Sequence, residues 1–310
     1  MPELPEVHTT STILNKLLKG LSIRNVWSDY GGVIHKGKKN IKDAGYFSAF
    51  KKGLKGRQIL SVARRGKNVL IHISQEKTII IHMKMTGHLL YGKYEKTSRK
   101  NGGKTETSWK PISPQGLKDP YNRFIRLAFE LSNGKYLALS DARRFAKVAF
   151  ENTVRLNHHP DLEKLGPEPN DRKFSFTRFK GCLQKKPAGR VKLVLMDQEI
   201  ISGIGNIYSD EILWRAGVHP EERVKNIPDR TLKKIYRTMK LILRKGMVLG
   251  GDSTSDYRNP HGLRGSFHYH HKAYRRTGNR CGKKGCGGII LRKIVGARSA
   301  HFCDRHQKLS

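Results

Sequence analysis

Three cysteines and one histidine near the end of the chain have the types and spacing of a metal site. The tail reads CGKKGCGGIILRKIVGARSAHFCDRHQ, with four residues between Cys281 and Cys286 and two between Cys303 and His306. A β-hairpin length of chain separates the two pairs and would bring them together around tetrahedral Zn²⁺. Because all four positions are filled, the pattern predicts one structural zinc ion, although an apo finger held by packing is the alternative. Cys182 stands alone, which does not suit a disulfide framework.

Two features of the sequence favour contacts with phosphate. Four basic side chains lie between the ligand pairs, where a hairpin would present them: Arg292, Lys293, Arg298 and His301. Further upstream, the turn Gly203-Ile204-Gly205-Asn206 precedes a helix predicted from about residue 207. Free backbone N–H groups at a helix N-terminus attract phosphate, and glycine allows a close approach. Asn206 either caps this helix or donates its amide to phosphate, and the residues alone leave both roles open.

The elements that must position these groups fall into two halves. Apolar residues at helical spacing predict a helix over residues 5–19. Between about 22 and 150, β-branched runs predict a β-sandwich, and SNGK predicts a tight hairpin turn inside it: QILSVARR, VLIHI, TIIIHM, FIRLAFEL, YLALS and KVAFE. After LGPEP we predict helices near 174–182, 190–197, 207–216 and 229–246, with Gly217 and Gly246 as stop signals.

One stretch of the first half breaks the strand pattern. Residues 95–120, EKTSRKNGGKTETSWKPISPQGLKDP, are polar and rich in Gly and Pro. The sequence therefore predicts a mobile surface insertion without regular structure.

The charge of the chain points to a polyanionic partner. Its 310 residues include 62 Lys and Arg against 25 Asp and Glu, which gives a formal charge of +37. The basic residues are spread along the whole length, which favours nucleic acid, with a merely basic solvated surface as the alternative. The sequence shows no apolar run long enough for a membrane span and no secretory signal, so we expect a soluble intracellular protein.

Eight ordered motifs resemble those of the Fpg/Nei DNA glycosylases, most closely the formamidopyrimidine branch of bacterial type. They are PELPEV, RRGKNVLIHI, HMKMTG, DARRFAKVAF, LGPEP, MDQEIISGIGNIYSDEILWRAGVHP, GGDSTSDY and ARSAHFC. The resemblance covers the chain apart from residues 95–120. It implies an α+β multidomain fold: a catalytic β-sandwich over 1–153, a helix-two-turn-helix module over 154–264 and a zinc finger over 265–310.

The resemblance also implies a function. The chain would be a bifunctional DNA glycosylase and abasic-site lyase of base excision repair, which removes oxidised purines such as 8-oxoguanine. It would act as a monomer on double-stranded DNA lying between its halves, at the nucleoid in a bacterial cell. The damaged base must leave the stack, because C1′ cannot be reached inside a duplex.

The catalytic residues that the resemblance implies are Pro2, Glu3 and Lys67. Removal of Met1 would leave Pro2 as a secondary amine whose pKa is near 8, so that part of it is neutral at physiological pH. Such an amine attacks C1′ and forms an iminium ion, from which β,δ-elimination cleaves the strand. Glu3 would carry protons to and from the deoxyribose. Lys67 matches the family's hairpin lysine, on the phosphate side of the lesion.

The remaining implied residues contact DNA. Met85, Arg143 and Phe145 match the three side chains that fill the gap left by the extruded base, two as apolar wedges and one as a donor to the orphaned base. The other DNA contacts implied are Lys192, Asn206 and Arg298.

Two departures from the family pattern leave alternatives open. The finger has a spacing of four residues in its first pair and a histidine as its last ligand, both compatible with zinc. In the loop GGDSTSDYRNPHGLRG, Ser255 stands where an arginine often occurs. An oxidised-pyrimidine glycosylase of the endonuclease VIII type and a non-catalytic protein that binds damaged DNA are therefore the competing functions.

Overall fold

The computed structural model describes residues 1–31, 37, 40–101 and 104–309, with the side chains of 99–101 and 104–106 left aside. The chain forms two compact units. The first contains Met1–Pro2, Glu6–His159 and Gly250–Gly265, and the second contains Glu3–Pro5, Pro160–Leu249 and Ser266–Ser310. The domain boundaries after residues 153 and 264 stay a prediction. Gly250–Gly265, which we call the strap, belongs to the first compact unit.

The first unit is built mainly from β-strands. Its elements are α1 (Leu4–Leu18), β1 (Ile23–Ser28), α2 (Ala44–Leu54), β2 (Ile59–Arg65), β3 (Asn68–Ile73), β4 (Lys77–His82), β5 (His88–Asn101), β6 (Lys104–Ser113), β7 (Ile125–Leu131), β8 (Tyr136–Ser140) and β9 (Lys147–Asn152). Short 3₁₀ helices cover Gln115–Lys118, Pro120–Arg123 and Thr153–His158. One antiparallel sheet has the order β1-β7-β8-β5-β6 and the other β2-β3-β4-β9. The predicted β-sandwich is therefore confirmed.

The β-branched runs form strands because they supply the apolar core of this unit. Ile71 of β3, Ile79 of β4 and Leu127 of β7 are at most 1% exposed and belong to one cluster, against which α1 packs Leu14. The SNGK hairpin lies between β7 and β8, with Gly134 at φ +74°. Glycine adopts this left-handed backbone without the Cβ clash that other residues meet.

The prediction of an irregular insertion at residues 95–120 is wrong. β5 and β6 pair from Lys93 with Ser113 to Asn101 with Lys104. Residues 102 and 103 lie outside the described residues. Polar Thr97 and Ser108 hydrogen bond across the strands at 2.5 Å, so no apolar alternation signals them in the sequence. Trp109 anchors the hairpin, its ring centroid 5.2 Å from that of Trp27.

The second unit is mainly helical. Its elements are α3 (Phe176–Gln184), α4 (Val191–Met196), α5 (Asn206–Ala216), α6 (Asp229–Val248), β10 (Ile290–Val295), β11 (Arg298–Cys303) and 3₁₀ helices at Val224–Asn226 and Phe267–His270. Gly217 ends α5 in the left-handed conformation, as its sequence position predicts. Gly246 does not end α6. It lies inside that helix, where an added Cβ would come 2.6 Å from the ring of Tyr208, so its role is close packing.

The predicted C-terminal hairpin is confirmed as β10 paired with β11, from Ile290 with Cys303 to Val295 with Arg298. Across the described part of the chain, no helix combines the length and the apolar character that crossing a bilayer demands.

A buried histidine of the first unit generates a prediction about pH. His88, 1% exposed, bonds through Nε2 to the side-chain oxygen of Asn122 at 2.9 Å. Burial lowers the pKa of His88 from 6.5 to about 4, and the charge of Arg258 acts in the same direction. Between these two pKa values the unfolded chain binds a proton that the folded chain refuses, so stability falls as the pH falls through this window.

We expect His88 to account for a loss of about 2 kcal/mol in unfolding free energy between pH 7 and pH 5. His88→Gln removes the titrating group, so its unfolding free energy should decline less over the same range. Urea denaturation of both proteins at the two pH values measures this difference. Equal declines in the wild-type protein and the variant would contradict it.

Candidate active site

The first residues of the chain are buried and held. Pro2 is buried, and Glu3 is 2% exposed. The carboxylate of Glu3 accepts backbone N–H groups from Gly205 at 2.7 Å, Ile207 at 2.8 Å and Tyr208 at 3.4 Å. These donors lie at the N-terminus of α5, where a negative charge is favoured by the helix dipole and by the unsatisfied N–H groups. Glu3 therefore has a fixed position and orientation.

This contact changes the interpretation of the Gly203–Asn206 turn. The N–H groups that we expected to attract phosphate are taken by Glu3. Gly205 is needed for that contact, since an added Cβ would lie 2.4 Å from the carboxyl carbon of Glu3. The helix cap is Gly205, without a side-chain cap bond, and Asn206 is the first residue of α5. Of the two roles left open for Asn206, the structure removes capping.

Lys67 lies on the tight turn between β2 and β3, as predicted, and is 8% exposed. The turn is possible because Gly66 adopts φ +56°. The register pairs Arg65 with Asn68, so the turn contains only Gly66 and Lys67.

The three predicted gap-filling side chains lie together. The Arg143 guanidinium is 3.4 Å from the sulfur of Met85, and its central carbon is 4.6 Å from the centre of the Phe145 ring. Met85 is 42% exposed and Phe145 46% exposed, so both apolar side chains are accessible beside the guanidinium. The arrangement places two exposed apolar side chains against one cation, a combination that could enter a base stack.

A residue that the sequence interpretation missed holds this trio. Asp141 is fully buried and accepts hydrogen bonds from the Thr86 hydroxyl at 2.5 Å, the Tyr30 hydroxyl at 2.8 Å and the Ala146 backbone N–H at 2.8 Å. The Thr86 hydroxyl in turn accepts from the backbone N–H of Arg143 at 3.1 Å. Burial and the neighbouring Asp141 raise the pKa of Tyr30, which keeps its hydroxyl a donor. Asp141 thus joins the two loops that carry the trio.

Lys192 is placed differently from its predicted role. Its side chain is fully buried and pairs with Asp210, so it presents no surface to a phosphate in this arrangement. Burial lowers the pKa of Lys192, and the charge of Asp210 offsets part of that effect. The other oxygen of Asp210 accepts from Nδ1 of His301 at 2.8 Å and from its backbone N–H at 3.0 Å. This cluster joins α4, α5 and β11.

Arg298 is the first residue of β11 and is exposed. It follows the turn at Gly296, which has φ +59° and packs against Leu193. Its charge contributes to the lowered pKa of Lys192. Arg298 is thus an outward-facing cation on the hairpin, as the sequence predicts.

The four predicted metal ligands come together. The sulfur atoms of Cys281, Cys286 and Cys303 and Nδ1 of His306 all lie within 4.8 Å of one another. Nδ1 of His306 is 3.5 Å from the Cys281 sulfur and 3.4 Å from that of Cys286, while its Nε2 bonds the backbone oxygen of Trp214 at 3.0 Å. Donor separations near 3.5 Å suit a tetrahedron with metal–sulfur bonds of about 2.3 Å. The cluster could therefore hold a metal ion.

The whole chain is similar to known proteins. The family model described as the formamidopyrimidine-DNA glycosylase N-terminal domain matches residues 1–148, and that of the formamidopyrimidine-DNA glycosylase H2TH domain matches residues 165–258. Formamidopyrimidine-DNA glycosylase of Heliobacterium modesticaldum is 32% identical over 308 residues, 99% of this chain and 100% of its own. That of Bacillus subtilis is 31% identical over 307 residues, with 99% of both chains covered.

Solved structures give the same result. The complex between Lactococcus lactis Fpg and DNA with an abasic site is similar with a TM-score of 0.80 and 26% identity, covering 99% of each chain. The MutM (Fpg) protein of Thermus thermophilus has a TM-score of 0.77 and 29% identity, with both chains covered completely. A MutM complex with DNA that contains carbocyclic 8-oxo-G has a TM-score of 0.79 and 27% identity.

Asp141→Ala should loosen the loops that carry Met85 and Arg143. Three buried donors lose their acceptor, so we expect a loss of about 2–4 kcal/mol in unfolding free energy. Amide hydrogen exchange should accelerate in peptides covering 83–87 and 141–146. Glu95→Ala is the control, because Glu95 is an exposed carboxylate of β5 that pairs with Lys110 at 3.8 Å, and neither residue belongs to the two loops. Slow exchange in both loops of the Asp141 variant would show that Asp141 does not hold them.

Proposed function

Because the chain belongs to the formamidopyrimidine-DNA glycosylase family, we propose that it is a bifunctional DNA glycosylase of base excision repair. In this proposal it acts as a monomer on duplex DNA, and hence at the nucleoid of a bacterial cell. It removes oxidised purines and then cleaves the strand at the resulting abasic site. The names of its relatives, and the damaged DNA in the structures similar to it, support this substrate class.

The observation that carries the proposal is the exposed trio Met85, Arg143 and Phe145. An enzyme that acts on C1′ of a nucleotide in a duplex must extrude that nucleotide and fill the space it leaves. Two exposed apolar side chains on either side of a guanidinium meet this need, because they stack where the base was while the cation bonds the unpaired partner. Asp141 keeps the three in place before DNA arrives.

The nucleophile in this proposal is the amine of Pro2 after removal of Met1. The nitrogen attacks C1′ as the bond between C1′ and the base breaks, and the departing base takes the bonding electrons and a proton. An α-amino group has a pKa near 8, so its neutral form is available at physiological pH. A secondary amine bonded to C1′ gives an iminium ion once the deoxyribose ring opens.

Glu3 is the proposed proton carrier for ring opening. Its carboxylate oxygens accept backbone N–H groups at the N-terminus of α5, so the group has a defined orientation there. The iminium ion acidifies the proton on C2′, whose loss expels the 3′ phosphate, and a second elimination expels the 5′ phosphate. Water then releases the sugar fragment from Pro2. Lys67 is proposed to lie on the phosphate side of this reaction, and Asn206 and Arg298 to bind the DNA backbone.

We also propose that Cys281, Cys286, Cys303 and His306 hold one structural zinc ion. The hydrogen bond from Nε2 of His306 to Trp214 leaves Nδ1 facing the three sulfur atoms. Gly288 completes the cradle, since an added Cβ would lie 2.7 Å from the Cys303 sulfur. A filled shell gives zinc no open position for catalysis, so its effect would be to order the hairpin that carries Arg298.

Borohydride trapping tests the nucleophile. Protein with verified loss of Met1 should become covalently linked to a duplex with one 8-oxoguanine, because borohydride reduces an iminium ion to a stable amine. Pro2→Gly replaces the secondary amine by a primary one and should trap at least about tenfold less. Absence of any adduct with both the 8-oxoguanine duplex and an abasic duplex would overturn the assignment.

Elemental analysis tests the metal site. Protein purified without chelator should contain about one zinc per chain, and Cys286→Ser should contain far less, because the site loses a thiolate. Its DNA affinity should fall as the hairpin loosens. Cys182→Ser is the matched control, since Cys182 is buried in the helical core away from the cluster. Metal-free protein that binds DNA normally would rule the site out.

A further inference from the structure

The strap is fastened at one end to the first turn of α1. The backbone N–H of Asp252 donates to the carboxylate of Glu6 at 2.7 Å, and the Tyr257 hydroxyl donates to the backbone oxygen of Glu6 at 3.0 Å. Gly251 has φ +85°, and a Cβ on it would lie 2.8 Å from the Glu6 side chain. The strap therefore lies against α1 one helical turn beyond Pro2.

A buried arginine fastens the other part of the strap. Arg258 is 2% exposed, and its Nε donates to the carboxylate of Asp119 at 2.9 Å. Its Nη1 donates to the backbone oxygens of Ser255 at 3.0 Å and Tyr257 at 2.9 Å. The guanidinium lies 4.6 Å from the ring centre of Tyr121. Arg258 thus joins the 255–257 turn to the segment that follows β6.

Backbone contacts reinforce this attachment. Gly262 has φ +80°, and a Cβ on it would lie 2.4 Å from the backbone oxygen of Gly116. The side-chain amide of Asn122 donates to the oxygen of Gly262 at 3.3 Å. The backbone N–H of Tyr91 in β5 donates to the oxygen of Pro260 at 2.7 Å. Gly116 and Gly262 therefore pack backbone against backbone, with no room for a side chain between them.

Residues 116–122, which we call the dock, supply most of this attachment. Gly116 and Asp119 belong to the stretch that carries none of the eight family motifs. Asp119 also caps the following 3₁₀ helix by accepting the backbone N–H of Tyr121 at 2.9 Å. One oxygen of Asp119 therefore caps the 3₁₀ helix, and the other accepts Nε of Arg258.

We propose that Asp119, Arg258 and Asn122 are positioning residues that hold the strap as a preformed wall beside the amino-terminal turn, and that this wall is needed for base removal. The inference rests on the proposed role of Pro2. A base attached to the C1′ that Pro2 attacks must lie near the first turn of α1, where the strap is fastened. An abasic site has no base to hold, so its cleavage does not need the wall.

Two variants weaken the dock by different physical means. Asp119→Asn keeps an oxygen to cap the 3₁₀ helix but removes the charge that faces buried Arg258. Gly262→Ala forces the strap away from Gly116 through a Cβ clash. Gly134→Ala is the matched control for the second variant, because Gly134 has φ +74° and nothing within 4 Å of an added Cβ.

The activities are measured under single-turnover conditions on two duplexes, one with 8-oxoguanine and one with a preformed abasic site. Both dock variants should remove the base at least about tenfold more slowly, since a small misplacement near the reacting atoms is costly, while abasic cleavage changes less than about twofold. Amide exchange of the strap, without DNA, should accelerate in both. Gly134→Ala should change none of these rates.

The activity ratio distinguishes positioning from a merely structural effect. Equal losses on the two duplexes, or a faster exchange of the strap with base removal unchanged, would overturn the inference. Wild-type protein that forms no borohydride adduct with either duplex would instead disprove the proposed function, and the inference would fall with it. If wild type acts on both duplexes and the dock variants keep its ratio of base removal to abasic-site cleavage, the inference is wrong and the proposed function stands.

Discussion

The carboxylate of Glu3 on the N-terminus of α5 is the contact from which the arrangement of the chemistry follows. Three backbone N–H groups bind it in a site with 2% exposure, so the group cannot rotate away without leaving those donors unsatisfied. A chain terminus is ordinarily poorly ordered. Here the second and third residues carry the proposed reaction, and this bond supplies the order that the terminus would otherwise lack.

Buried carboxylates also accept backbone N–H groups elsewhere within each of the two units. Glu6 accepts the backbone N–H of Asp252, Asp141 accepts that of Ala146, and Glu211 accepts those of residues 272–274. The chain has only 25 acidic residues against 62 basic ones, so the placement of each carboxylate matters. Buried carboxylates tie loops together, and exposed lysines and arginines remain to meet a polyanion. The fold thereby tolerates a charge of +37 without losing the anions that order its loops.

Runs of β-branched residues and helical periodicity in the sequence predicted many of the strands and helices. The strands β2, β3, β4, β7 and β8 follow β-branched runs, and α5 and α6 follow helical periodicity. The spacing of Cys281, Cys286, Cys303 and His306 alone predicted that these four side chains lie together. The β5–β6 pairing escaped prediction because the residues that pair from Glu95 to Asn101 are polar and give no apolar alternation. Helix α2 was missed because its 11 residues include Gly45 and Gly53, and its start depends on Asp43 capping Tyr46.

The contacts that position the site escaped the sequence interpretation for a different reason. Glu3 and Gly205 are 202 residues apart, and Asp119 and Arg258 are 139 residues apart. No periodicity or motif connects residues at such separations. Only the folded chain shows that the carboxylate of Glu3 occupies the N-terminus of α5, where the sequence suggested a phosphate. For Lys192 the resemblance implies a DNA contact, whereas the folded chain buries its side chain completely beside Asp210, a pairing that local sequence does not indicate.

Buried carboxylates that accept hydrogen bonds constrain the geometry of the fold more narrowly than the apolar core does. A core of Ile, Leu and Val tolerates exchange of one aliphatic residue for another of similar volume. A carboxylate that accepts two or three defined N–H groups fixes distance and direction together, and its loss leaves each donor unsatisfied. The first unit uses apolar packing for its sheets and carboxylates that accept defined N–H or O–H groups at Asp141, Glu6 and Asp119. The strap lies between two of these carboxylates, so its geometry is set by polar contacts at both ends and is correspondingly open to change by single substitutions.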